Sequence, residues 1–104
     1  MLKKYSSRLL MYDEIPHVKN VLSQHLTPDK IKAHFDKVLS EFSEAPFKNA
    51  HAIFVWDIIV YVFRVENYVW YDYIRTKYHC TDNNVYNLFS AILEIEYGIP
   101  SYKT

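Results

Sequence analysis

The sequence predicts an all-α protein, a small four-helix bundle around a long third helix at roughly residues 46–79. The stretch from His51 to His79 contains no glycine and no proline. Within it, polar and aromatic residues recur at alternating gaps of four and three, which places them on one side of a helix. These residues are Asp57, Tyr61, Arg64, Tyr68, Tyr71, Arg75 and Tyr78.

The opposite side of this predicted helix is apolar. Its members are Val55, Ile58, Ile59, Val62, Val65, Val69 and Tyr73. Because valine, isoleucine and the aromatic residues also favour strands, the alternative is an α+β fold with a hairpin within residues 52–79. The turn of that hairpin would be Glu66-Asn67, which is not the Asn-Gly or Asp-Gly pair typical of two-residue hairpins. The pattern therefore favours the helix.

Proline positions predict where the first three helices begin. Asp13 is expected to cap the first helix, with Pro16 in its first turn. Thr27 is expected to cap the second, with Pro28 as its first residue, where a missing N–H does no harm. Pro46 lies near the expected start of the long third helix.

The last helix is bounded by a turn-forming run and by the only glycine of the chain. Residues 81–84, Thr-Asp-Asn-Asn, are capping and turn formers and predict a break. Gly98 falls where a left-handed residue ends a helix, and Pro100 prevents its continuation. The last helix therefore runs between these two signals.

Length and composition predict one globular domain, residues 1–104. Twelve basic and twelve acidic residues leave no net charge, which argues against nucleic acid as the main partner, because phosphate binding requires a basic surface. A single cysteine, Cys80, is typical of a reducing compartment. The long stretch is interrupted by Asp57, Arg64 and Glu66, so no membrane span is expected. We expect a cytoplasmic protein.

No motif in the sequence predicts a metal or a cofactor. Glu14-x-x-His17 has the spacing of the carboxylate-bridged dimetal bundles, but those sites need a second copy and two further glutamates. The segment His79-Cys80-x-Asp82 lies within one turn and cannot surround an ion alone. With one glycine, the chain has no glycine-rich phosphate loop.

One pair of residues provides an enzymatic alternative. Arg75-x-x-x-His79 resembles the pattern of the HEPN-type helical ribonucleases, which cut RNA as dimers with an arginine and a histidine near the end of one helix. The gap here is one residue shorter than in that pattern, and both cations also suit the negative end of a helix dipole. The resemblance implies a small helical ribonuclease that uses these two residues.

The favoured function is stoichiometric binding of a protein target by the seven-residue Tyr/Arg stripe. Tyrosine and arginine are enriched where binding energy concentrates, because they combine large contact area with a polar end. Asp57 and Arg64 are seven positions apart, too far to pair on one helix, so each needs a partner from elsewhere. In size, class and aromatic content the chain is similar to immunity proteins, antitoxins and phage-encoded inhibitors. Homodimerisation through the long helix is a further expectation.

Overall fold

A computed structural model describes residues 5–101 and confirms the all-α prediction. A 3-10 turn, Tyr12–Glu14, precedes five helices within this range: α1 (Ile15–His25), α2 (Pro28–Glu41), α3 (Phe47–Val65), α4 (Val69–Tyr78) and α5 (Asp82–Tyr97). The alternative hairpin within residues 52–79 is wrong, because that segment forms α3 and α4.

Several helix ends lie where capping chemistry predicted them. The Thr27 hydroxyl accepts a hydrogen bond from the Lys30 N–H at 3.2 Å, and Pro28 is the first residue of α2. At the start of α5, Thr81 and Asn84 exchange hydrogen bonds between side chain and backbone in a capping box. Gly98 ends the same helix with φ +70°.

The prediction that Asp13 caps the first helix is wrong. Tyr12 to Glu14 form the 3-10 turn, so α1 begins at Ile15 and no side chain caps it. Pro16 still lies within the first turn. Glu14 points into the protein, where only 7 % of it is exposed. The turn therefore places the Glu14 carboxylate in the interior and provides no cap for α1.

The continuous helix over residues 46–79 is also wrong, because it is broken after Val65. The N–H of Tyr68 donates to the Phe63 carbonyl at 2.8 Å, and the N–H of Asn67 donates to the Arg64 carbonyl at 2.9 Å. This pair of bonds is a Schellman motif, in which the chain turns through a left-handed residue. Asn67 has φ +52° and Tyr68 has φ +62°. Asparagine, which tolerates this conformation, takes the position that glycine usually fills.

The break changes which side chains of the stretch are buried. Along α3 the predicted apolar side is buried as far as Val62, but Val65, the last residue of α3, is 38 % exposed. On α4, Val69 and Tyr73 are 68 % and 45 % exposed. α4 instead buries Trp70 and Ile74. The prediction of one continuous apolar face therefore holds for α3 and fails for α4.

The core is organised around α3, which contacts the other four helices. Phe54, Val55, Ile59 and Val62 have no exposed surface. The rings of Phe54 and Phe35 meet edge to face, with centroids 5.0 Å apart, and join α3 to α2. Among residues 5–101, no helix has the length and apolar character needed to cross a membrane.

Candidate functional surface

The predicted Tyr/Arg stripe is divided into two groups in the structure. Three of its members, Asp57, Tyr61 and Tyr78, have partners on other elements of the same chain. The other four, Arg64, Tyr68, Tyr71 and Arg75, lie at the end of α3, in the turn that follows and on α4. Because of the turn at residues 66–68, the seven side chains do not share one helical face.

Asp57 and Tyr61 line a cleft of about 260 Å³ between α2 and α3. The His34 ring N–H donates to an Asp57 carboxylate oxygen at 2.8 Å. The Tyr61 hydroxyl lies 3.5 Å from the His25 carbonyl at the end of α1. The partner of Asp57 is therefore His34, which lies 23 positions earlier in the same chain.

Tyr78 belongs to a buried anchor that fixes α4 to the start of α1. Its hydroxyl donates to one Glu14 oxygen at 2.9 Å, and the Trp70 indole N–H donates to the other at 3.0 Å. The Lys77 ammonium lies 3.8 Å from the same carboxylate. Burial and the hydrogen bond to Glu14 both raise the pKa of Tyr78. Sequence analysis did not predict this anchor, because its residues are 56 and 64 positions apart.

The Glu-x-x-His spacing at Glu14 and His17 has a structural explanation. His17 contacts the Glu66 carboxylate, and its ring stacks on that of Trp70 with centroids 5.2 Å apart. Glu14 is engaged by Trp70 and Tyr78. Across the described part of the chain, no three histidine, cysteine, aspartate or glutamate side chains are grouped to hold a metal ion.

Arg75 is held against an aromatic ring on the surface of α4. Its guanidinium carbon lies 5.5 Å from the centre of the Tyr71 ring, and one guanidinium nitrogen donates to the Tyr71 hydroxyl at 3.0 Å. The Tyr71 ring packs on Phe63, with centroids 4.5 Å apart. Neither Arg75 nor Arg64 forms an ion pair with a carboxylate among residues 5–101. Two exposed guanidinium groups therefore lack an acidic partner within that range.

Tyr68 combines an unfavourable backbone with an exposed ring. Its φ of +62° is rare for a bulky residue, because the Cβ atom comes too close to the following carbonyl oxygen. Nevertheless, 47 % of the residue remains exposed. Burial of the side chain therefore accounts only in part for the left-handed conformation of Tyr68.

The two residues of the predicted ribonuclease differ in their surroundings. Arg75 is engaged by Tyr71, whereas His79 is exposed and ends α4 with φ +50°. The N–H of His79 donates to the Arg75 carbonyl at 3.0 Å, as in a left-handed helix end. Among residues 5–101, no hydrogen bond joins the side chains of Arg75 and His79.

Two side chains of chemically reactive types, His51 and Cys80, are buried elsewhere in the core. The His51 imidazole and the Tyr86 hydroxyl lie 2.5 Å apart and join α3 to α5. Burial lowers the pKa of His51, and the Glu94 carboxylate opposes this shift. Burial also raises the pKa of the Cys80 thiol, which keeps it protonated and poorly nucleophilic.

Comparisons of the chain with models of known protein families, with curated proteins and with solved structures find no match.

Proposed function

We propose that this protein is a small non-enzymatic binding module that holds a protein target stoichiometrically, in the manner of an immunity protein, an antitoxin or a phage inhibitor. The binding residues are Arg64, Tyr68, Tyr71 and Arg75, named here the Tyr/Arg surface. The observation that carries the proposal is Arg75, which is fixed over Tyr71 without an acidic partner among residues 5–101.

Two side chains of this surface, Tyr71 and Arg75, are already held in place, which favours tight binding. Tyr71 is held by Phe63, and Arg75 is held by Tyr71, so little side-chain freedom remains to be lost when a target binds. One guanidinium nitrogen is used by the Tyr71 hydroxyl, and the remaining N–H donors suit a carboxylate. The target is therefore expected to present aspartate or glutamate beside an apolar surface that accepts Tyr68. A reducing cytoplasm fits the single, buried cysteine.

The proposal omits Asp57, Tyr61 and Tyr78 from the binding surface. Each uses its polar end on a group of the same chain, so its substitution would remove a contact within the fold as well as any contact with a target. Tyr78 is the clearest case, since its hydroxyl is bonded to the buried Glu14.

Charge reversal tests the proposal without disturbing the core. The double variant Arg64→Glu/Arg75→Glu should lower capture of a host protein at least tenfold, because it places repulsive charge against an acidic target. The matched control is Lys32→Glu/Lys37→Glu, which reverses two exposed charges on α2. Capture would be quantified by mass spectrometry of host proteins retained on immobilised protein. Equal capture by both variants, with unchanged circular dichroism, would contradict the proposal.

His79→Ala separates this proposal from the ribonuclease alternative. The binding role predicts that the variant captures the target as well as the unchanged protein, because His79 lies outside the Tyr/Arg surface. Cleavage of RNA by the unchanged protein, abolished by His79→Ala, would replace binding with catalysis.

A further inference from the structure

We infer that the turn between α3 and α4 is a hinge and that two copies of the chain exchange α4 and α5 through it. In the exchanged dimer, residues 66–68 become helical, α3 and α4 join into one straight helix over residues 47–78, and α4–α5 of each copy pack on α1–α3 of the other. This inference does not rest on the proposed function.

The turn between α3 and α4 is strained. Two successive residues with side chains, Asn67 and Tyr68, adopt left-handed conformations. Neither glycine nor proline stops the helix there, and a straight helix would place both residues in the favoured right-handed region. Short hinges under strain are the sites at which proteins exchange identical elements. The monomer is therefore closed by a turn that Asn67 tolerates but that is unfavourable for Tyr68.

The apolar side of α3 continues in sequence past the turn. Val65, Val69 and Tyr73 continue the buried side of α3 at helical spacing, but they are exposed in the monomer. On a straight helix they would extend that side by two turns. Because two such helices are present in an exchanged dimer, each supplies an apolar surface that the other can cover. The second copy thereby gives these exposed residues a partner.

Exchange of α4 and α5 would preserve the contacts that these helices make in the monomer. The bonds from Trp70 and Tyr78 to Glu14, and the contact of His51 with Tyr86, would form between copies with the same geometry. Contacts within the exchanged segment, such as Trp70 on Phe89, would stay within one chain. The turn and the new surface between the two straight helices are then the differences in free energy that favour the dimer, and together they must exceed the entropy lost when two chains associate.

Matched substitutions in the hinge provide the main test. Asn67→Ala/Tyr68→Ala should raise the dimer association constant at least tenfold, because alanine favours helix and disfavours the left-handed region. Asn67→Gly/Tyr68→Gly removes the same side chains but relieves the turn, and should leave a monomer. Gel filtration with light scattering measures both. Equal association of the two variants, or a monomeric alanine variant, overturns the inference.

A second variant tests the surface between the straight helices without altering the hinge. Val69→Lys should abolish the dimer while the melting temperature of the monomer stays unchanged, since Val69 is exposed there. Val60→Lys, on the far side of α3 and also exposed, should leave the dimer intact. If both lysine variants dimerise equally, the inference fails.

Backbone chemical shifts distinguish exchange from simple surface association. In the isolated dimer, the Cα shifts of Asn67 and Tyr68 should be helical, and the dimer should return to monomer only over hours, because α4 and α5 must be released. A dimer that dissociates within minutes and retains left-handed shifts overturns exchange. Target capture is a separate readout, since Val69→Lys should keep it and Arg64→Glu/Arg75→Glu should lose it while still dimerising.

Discussion

α3 and α4 come from one aromatic stretch without glycine or proline, but different forces hold them in the protein. α3 is surrounded by the other helices and buries eight residues, most of them apolar. α4 buries two, Trp70 and Ile74, and is fixed by hydrogen bonds to the Glu14 carboxylate. α3 therefore depends on packing, and α4 depends on a polar anchor.

The largest effect is expected where packing alone is removed. Phe54→Ala should lower the free energy of unfolding by about 3–5 kcal/mol, because it deletes a fully buried ring that contacts Phe35. Urea denaturation followed by circular dichroism measures the loss. The control Val60→Ala, on an exposed position of the same helix, should change stability by less than about 0.5 kcal/mol. Comparable losses in the two variants would mean that packing on α3 is not the dominant force.

Removal of the polar anchor should affect α4 more than α3. Glu14→Ala deletes the charged acceptor of two hydrogen bonds and should lower stability by about 2–3 kcal/mol. Amide hydrogen exchange should show the greatest loss of protection in α4. Glu96→Ala removes a carboxylate bonded to Tyr5 at the surface, and should cost less than about 1 kcal/mol. A uniform loss of protection in all helices would contradict a local anchor.

The sequence predicted the helices better than it predicted their arrangement. Caps such as Thr27 and Gly98 act within a few residues, so their effect can be read locally. The break at Asn67 was missed because the apolar spacing continues through it and asparagine is a weaker stop signal than glycine. The sequence signal for the break was Asn67, because asparagine sometimes takes the left-handed position at a helix end.

The candidate site was predictable only where its residues act locally. Tyr71 and Arg75 are four positions apart on α4 and meet as helical spacing requires. Asp57 and Tyr78 find partners 23 and 64 positions away, which depend on how the helices pack. Helical periodicity alone therefore could not show that Asp57 and Tyr78 bond to other elements of the chain.

Substitutions at the ends of α3 and α5 should have smaller effects on stability. Gly98→Ala should destabilise the protein by about 1 kcal/mol through its positive φ alone, because no neighbouring atom obstructs a Cβ at this position. Asn67→Gly should stabilise it by about 0.5 kcal/mol, since glycine adopts the same turn without steric cost but loses more entropy on folding. Thermal unfolding of both variants measures the difference. A destabilised Asn67→Gly protein would show that the asparagine side chain supports the turn.

The smallest effect concerns a polar contact in the core, between His51 of α3 and Tyr86 of α5. Because burial lowers the pKa of folded His51, the folded state favours the neutral imidazole. This contribution is complete above the unfolded pKa of 6.5 and is lost as the pH falls towards the folded value. Glu94 offsets part of the shift, which keeps the effect small.

His51→Gln isolates this contribution, because its amide can still bond the Tyr86 hydroxyl but does not titrate. The other titratable residues are common to both proteins, so the difference between their stabilities at pH 7.5 and pH 5 reports on His51. The unchanged protein should lose more stability on acidification than the variant, as measured by urea denaturation at each pH. The opposite ordering would mean that the protonated imidazole is favoured in the core, and that Glu94 outweighs burial.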